Sequence, residues 1–370
     1  MIKNKIQPKN WRKVKLGEVA DIKNGKTNTQ DAVPRGAFPF FDRSTQIKRS
    51  NKFLFNTTAV ILPGEGAEFI PRYYSGKFDL HQRAYAIIPH KEINSHYLYY
   101  SVFSSRKIFA QNAVGSTVKS LRMPIIQDIP VMLPPFEEQK KIAGILKSFD
   151  DKIELNNKIN QNLEQTAQNI FKEWFVKFKF PGYKKVEMID SELGKIPEGW
   201  KVKRLGDVAD VQWGDTSITK SAYIKEGYPA YSASGQDGFR KIYDFDRIGV
   251  IISAIGANCG QTWLARNKWS VIKNTIRFWS IDKAISTEYL FLITGKKETW
   301  PQRGSAQPFI TIGDARKRNI LIPLSSVMKK FNDFLVTAYS KMDNVQLENQ
   351  KLASLRDLLL PKLMSGETRV

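Results

Sequence analysis

The stretch LGEVADIKNG (residues 16–25) returns almost unchanged as LGDVADVQWG (residues 205–214). The wider pair is NWRKVKLGEVADIKNGKT, from Asn10, and GWKVKRLGDVADVQWGDT, from Gly199. Trp11 and Trp200 stand 189 positions apart (200 − 11), as do Leu16 and Leu205, Asp21 and Asp210, and Gly25 and Gly214. An ungapped frame of this kind marks an internal duplication. At 370 residues the chain is too long for one comfortable core and fits two domains of ordinary size, so two similar domains are expected.

Beyond that segment the halves stay in step, with slips of one or two residues. FPFF (38–41) lies opposite YPAY (228–231), and VILPGEGA (60–67) opposite VIISAIGA (250–257). Each of the second pair reads as a buried strand entering a turn. INSHYLYY (93–100) matches ISTEYLFL (285–292), where Ser or Thr ahead of the apolar residues is a helix start. Both copies then carry a Gly-Ser pair, Gly115-Ser116 and Gly304-Ser305, and close through IPVMLP (129–134) and NILIPL (319–324), read as strands ended by Pro134 and Pro323.

The segment after each proline is different in kind. Ile142, Leu146, Phe149, Ile153, Asn156, Asn160, Leu163, Ala167, Ile170 and Trp174 step by alternating fours and threes, a heptad seam. About 33 residues at 1.5 Å each predict a helix some 50 Å long. The same seam recurs as Phe331, Leu335, Ala338, Met342, Val345, Asn349, Leu352, Arg356, Leu359 and Leu363. Two seams in one chain most simply pack on each other, antiparallel. Asn160 and Asn349 hold equivalent seam positions and read as setters of helix register, while Arg356 reads as a frayed seam end or a contact with another subunit. Residues 176–200, rich in Lys, Gly and Pro, read as an ordered linker; Pro361 and Gly366 read as stops to the second helix. The fold class is therefore α+β, with an internal pseudo-twofold repeat.

The 58 Lys and Arg against 36 Asp and Glu give +22 and a pI near 9.8. Such an excess attracts a polyanion, nucleic acid before anionic membrane, because the basic residues are spread over both halves. No apolar run approaches a membrane span, and the first residues do not read as a signal peptide. The single cysteine, Cys259, reads as buried and inert and fits a reducing cytoplasm.

Chemistry is sparse. Asp21-Ile22-Lys23 and Asp150-Asp151-Lys152 have the acid-x-Lys spacing of many nucleases, but the repeat has Gln212 where the first copy has Lys23. Leu133-Pro134-Pro135-Phe136 lacks the polar first residue with which a base methyltransferase grips an amine. His81, His90 and His96 lack ligand spacing, so no metal site is expected. Neither a phosphate-binding loop nor a convincing cofactor turn is present, and no cofactor is expected. What binding needs is there: residues 72–85, 219–241 and 263–279 interleave Arg, Lys, Asn and Gln with aromatics.

Five segments carry a resemblance: W…LG(E/D)VAD at the start of each half, LPPFEEQKKI (133–142), KIELNNKINQNLEQTAQNIFKEWF (152–175), SELGKIPEGW (191–200) and LLLPKLMSGE (358–367). On these the chain resembles the DNA specificity subunit of type I restriction-modification systems over nearly its whole length. The resemblance implies two target recognition domains (1–136 and 199–324), a central long helix (137–178), a linker (179–198) and a C-terminal long helix (325–370). Each domain would read one half of a bipartite site on double-stranded DNA, with the antiparallel helices as ruler. It implies docking of two methyltransferase subunits, which supply the S-adenosylmethionine chemistry, and of ATP-driven restriction subunits, with no active site in this chain. One departure stands out: PLSSVM (323–328) replaces PPFEEQ (134–139), so the two docking surfaces differ. A stand-alone repressor, or a nuclease or methyltransferase with a degenerate motif, is the alternative.

Loop positions are the expected DNA contacts: Lys26, Thr27, Arg43, Arg72, Gln82, Arg83, Ser116 and Lys119 in the first domain, and Thr216, Lys220, Ser234, Gln236, Arg240, Asn274, Arg277 and Gln307 in the second. Replacing a base-reading Arg among them is expected to relax specificity at one base pair. Replacing a phosphate-contacting Lys should weaken all sequences alike and flatten the salt dependence, which binding titrations at several salt concentrations distinguish.

Overall fold

The computed structural model describes residues 10–304 and 306–370, so Ser305 of the second Gly-Ser pair and the first nine residues lie outside the described residues. The chain forms two compact units, Met1–Lys158 with Val345–Val370, and Ile159–Asn344.

In each unit the duplicated segment makes the same three pieces. Strand Arg12–Lys15, one helical turn Leu16–Val19 and strand Ala20–Asn24 recur as Lys201–Arg204, Leu205–Val208 and Ala209–Trp213. The turn forms because its two apolar residues, three apart, face one core: Leu16 and Val19 are buried, and so are Leu205 and Val208. The acid of each turn reaches back to its start, Glu18 accepting from the Lys15 amide and Asp207 from that of Arg204. The first strand pairs antiparallel with the last, Arg12–Lys15 with Pro130–Leu133 and Lys201–Arg204 with Asn319–Ile322. The motif's final glycine has a packing reason: a Cβ at Gly25 would collide with the Leu80 and His81 carbonyls, and one at Gly214 with Thr275 and the Ile272 carbonyl.

The first unit's main sheet has six strands, in the order Ala20–Asn24, Ala84–Pro89, Phe55–Pro63, Arg72–Leu80, Phe38–Phe41, Lys48–Ser50. All pairs are antiparallel except Phe38–Phe41 with Arg72–Leu80. The second unit divides the same plan into two four-stranded sheets. The cause is local. Arg72–Leu80 runs through Gly76, but its counterpart is interrupted at Asn267, whose φ of 61° cannot continue a ladder, leaving Thr262–Ala265 in one sheet and Lys268–Val271 in the other. Helices Ser95–Ser104 and Thr287–Thr294 cover the sheets, and their buried Tyr97 and Tyr289 hydroxyls donate to the Met132 and Leu321 carbonyls. Ser286 caps the second, as expected; the first is capped one residue earlier than the Ser reading placed it, by Asn94, which accepts from the His96 and Tyr97 amides. The linker is ordered, as expected: Met188–Ser191 and Gly194–Pro197 pair as a hairpin, and Phe180 and Ile196 enter the second core.

The long helices run Phe136–Phe171 and Ser325–Met364, and every predicted seam position is buried or half-buried. In the first unit the start of the first helix (Ile142, Ala143, Leu146) packs with the end of the second (Leu360, Leu363, Met364). In the second unit the order is reversed, Ala167 and Phe175 meeting Val327, Phe331 and Leu335. The pairing is thus antiparallel. Pro361 does not stop the second helix, because buried Leu363 and Met364 hold its last turn in the core; Gly366, at φ 73°, comes just after the end.

Polar seam residues make specific nodes. Buried Asn156 donates to Glu348 Oε2 at 2.9 Å and to Asn349 Oδ1 at 2.8 Å, and Asn349 donates to Asn157. Asn349 therefore meets Asn156 and Asn157 rather than Asn160, whose buried Oδ1 has no partner among the described residues. Arg356 is neither frayed nor free for another subunit. Its guanidinium bonds Asp150 at 2.5 Å, and the Tyr100 hydroxyl donates to the same carboxylate at 2.7 Å. Burial and the Asp150 carboxylate together push the Tyr100 phenol up. Asp150→Ala would strand a largely buried guanidinium and is expected to cost about 3 kcal/mol, whereas pairing it with Arg356→Leu should recover most of that loss, read by denaturant unfolding of the full chain.

Candidate nucleic-acid interface

In both units, loops are tied together by backbone bonds, and the bonds repeat. In the first unit Gly25 N donates to Ala84 O, Leu121 N to Gly64 O and Gly66 N to Lys119 O. In the second, Gly214 N donates to Thr275 O, Ile310 N to Ala254 O and Gly256 N to Pro308 O. Paired hairpin residues match as well: Val114 with Ser120, Arg303 with Phe309. Gly115 and Ser116 of the first half, and Gly304 of the second, lie between these paired residues. The expected contacts fall on or beside these loops, but they divide by what their polar groups do.

Four are committed to the interior. Thr27 is buried and donates to Asp79, which also accepts from Ser50. Arg72 donates to the Ser44 carbonyl, and burial pulls its guanidinium down. Arg240, 7% exposed, holds Asp244 through both carboxylate oxygens. Arg277 lies mid-strand, bonds Asp210 at 2.7 Å and stacks on Trp279. A solvent-facing loop position describes their neighbours but not these side chains: Arg72, Arg240 and Arg277 lie on strands, where alternation turns every second residue inward, and Thr27 is bridged to His81.

The rest face solvent. In the first unit Lys26, Ser116 and Lys119 are exposed, and Gln82 is exposed while donating to Asn28. In the second, Thr216, Ser234, Gln236, Asn274 and Gln307 are exposed, Asn274 with a left-handed φ of 67°. Lys220 pairs with Asp237, which also accepts from Ser232 and Tyr223. Arg43 and Arg83 share Glu65, at 3.4 and 2.5 Å. Glu65, with Asp42 and Lys48, is absent from the sequence candidates; its only signal is an acid in the turn PGEG (63–66), where the second half has SAIG (253–256).

Asp42 organises the turn that carries Arg43. Burial pushes its carboxyl up, but the Lys48 ammonium and the Ser44 amide and hydroxyl outweigh burial and hold it at about 2. His81, beside it, is pulled down by burial. The carboxylates with nuclease-like spacing are tied up: Asp21 with His90, Asp150 with Arg356, and Asp151 with Lys147. Cys259 is buried, and burial raises its thiol. Among the described residues no helix is long and apolar enough to cross a membrane, and no three His, Cys, Asp or Glu are grouped to hold a metal.

A repeated framework with basic, divergent loops, mounted on paired long helices, defines a class of DNA-directed specificity proteins. The model of the type I restriction-modification DNA specificity domain matches residues 8–165 and 197–356, and the chain belongs to that family. It is 29% identical over 314 residues to the specificity subunit of the type I restriction enzyme MjaIX of Methanocaldococcus jannaschii, a match spanning 77% of this chain and 71% of that one. To the EcoDI specificity subunit of Escherichia coli it is 31% identical over 223 residues, covering 55% of this chain and 50% of that one. The fold is also that of the S subunit of a type I system from M. genitalium, with a TM-score of 0.59, 18% identity and 98% of each chain covered.

Two side-chain environments yield measurable outcomes. Because the folded Asp42 carboxyl lies below its unfolded value near 3.9, its contribution is full above that value and lost as pH falls toward 2; about 2 kcal/mol of acid sensitivity should disappear in Asp42→Asn, measured by unfolding at pH 2 to 5. Arg277→Ala should lower the unfolding midpoint and weaken all DNA sequences alike, since its loss opens Asp210 and Trp279 rather than a base contact.

Proposed function

We propose that this chain is the sequence-reading subunit of a type I restriction-modification complex in the cytoplasm. The first unit's loops contact one part of a bipartite site on double-stranded DNA and the second unit's loops the other. The long helices set the distance between the two parts. Two linked weak contacts then act as one specific contact, and parts about one helical turn apart (roughly 10 base pairs) present the same DNA face.

The observation that carries this reading is a main-chain framework that repeats, bond for bond, beneath loops whose side chains differ. Shared architecture supports one task performed twice, and divergent loops support two different sequences. The excess of 22 positive charges supplies sequence-independent attraction to phosphates. The chemistry of modification is assigned to partners. Two methyltransferase subunits fit a chain built on a pseudo-twofold repeat, which presents similar surfaces twice. Restriction subunits that translocate DNA complete the assembly, and this chain contributes no active site of its own.

The test is recovery of tagged full chain from its native extract, with the complex weighed by light scattering and assayed for methyl transfer. A complex holding two methyltransferase subunits that modifies one bipartite sequence is the expected result. A chain recovered from the extract without methyltransferase partners that binds a single sequence tightly would replace this reading by a repressor, and a lone chain that cuts or methylates DNA would place an active site here.

A further inference from the structure

Two arginines from different loops converge on one acid in the first unit. Arg43 Nη1 reaches Glu65 Oε2 at 3.4 Å, and Arg83 Nη1 reaches Glu65 Oε1 at 2.5 Å. The Glu65 side chain is 10% exposed, whereas those of Arg43 and Arg83 are 62% and 63% exposed. Among the described residues neither arginine has a protein partner on Nε or Nη2. Each is therefore anchored by one nitrogen and open along the rest of its fork.

All three are mounted rigidly. Glu65 lies between Gly64, whose amide donates to Arg83 O, and Gly66, whose amide donates to Lys119 O. Arg83's own amide donates to His81 Nδ1. Arg43 sits between Asp42 and Ser44, which bond each other twice, and Arg72 clamps the Ser44 carbonyl. Fold stability does not account for the arrangement, because ion pairs to arginines this exposed contribute little. Binding does. An arginine fork matches the O6 and N7 acceptors of guanine, and a tethered side chain gives up less rotamer freedom on contact. One buried carboxylate under two guanidiniums leaves the site net positive, as DNA requires.

The corresponding positions of the second unit are informative. On the repeated framework Arg43, Glu65 and Arg83 stand where the second half has Ala233, Ile255 and Asn274. Position by position, a charged triad is replaced by a neutral one while the main-chain bonds around it persist. Side chains that differ on a retained main-chain frame are what determinants of base preference look like.

Resting on the function proposed above, we infer that Arg43 and Arg83 form a guanine-reading pair held in place by Glu65, so that the part of the site contacted by the first unit carries guanine in the major groove. Glu65 is a positioning residue. Its partners make the base contacts.

The experiment is selection of a randomised duplex library by the full chain, with sequencing of the bound fraction, for the unmodified protein and for Arg43→Ala, Arg83→Ala, Glu65→Ala and Glu65→Gln. Each arginine variant should lose roughly tenfold to hundredfold preference for guanine at its own base pair and keep the remaining preferences of both parts, those of the first part reporting that the first unit is folded. Glu65→Ala should relax both guanine positions, and Glu65→Gln, which keeps an acceptor, should restore part of the preference. In the unmodified protein, 7-deazaguanine at those positions should reproduce the arginine losses, a readout that needs no variant to fold. Uniform weakening of all sequences by both arginine variants, or a first part without guanine at the affected positions, would overturn the inference and leave the proposed function standing. A full chain that selects no sequence would overturn both.

Discussion

The constraint on which each domain depends is the pairing of its first strand with its last. Arg12–Lys15 and Lys201–Arg204 are four residues long, and each has one ladder partner, the strand that runs directly into a long helix. The amide after each first strand reinforces the closure, Leu16 N donating to Ile129 O and Leu205 N to Arg318 O, both at 2.8 Å. Closing the domain in this way delivers the chain to the start of its helix at a defined place. The sheets between can then carry long loops, because the ends of the domain are already joined. The helix continues the domain's own core: Ile142 and Leu146 in one case, Phe331 and Leu335 in the other, are as buried as the sheet residues they touch.

Much of this was legible from residue order because the signals were periodic. The heptad seam survives substitution of individual members, so all its positions could be found even where Asn or Arg interrupts it. What periodicity does not report is which polar seam residues meet. Asn349 pairs with Asn156 because the helices are antiparallel, and that partner depends on register rather than on equivalence within the repeat. Pro361 misleads for a related reason: a proline removes one helical hydrogen bond, and the burial of Leu363 and Met364 outweighs that loss. The interface was legible as a set of loops but not as a set of side chains. Arg277 and Arg43 are the same residue type, and only the strand beneath Arg277 and the turn beneath Arg43 decide that one braces Asp210 while the other faces water.

The halves also differ where the helices begin. In the first, the Trp11 indole donates to Glu138, and buried Gln139 donates to the Glu92 and Pro134 carbonyls while accepting from the Asn94 amide. In the second, Val327 and Met328 occupy those positions inside the core, and the buried Trp200 Nε1 has no partner among the described residues. Trp200 is held instead by rings, with Phe180 at 5.1 Å and Phe178 and Phe175 at 5.6 and 5.8 Å. One junction is a polar clamp and the other an aromatic one. A common ancestor duplicated and then diverged at this point accounts for both, since each version satisfies the same geometry by different chemistry.

Many of the bonds that hold the loops join main chain to main chain, and a substitution away from the close-packed glycines that keeps the backbone N–H leaves such bonds in place. A lineage carrying such a chain can therefore change what its loops present, one codon at a time, without disturbing the scaffold that presents them. Novelty in target choice and conservation of architecture are inherited through separate sets of atoms.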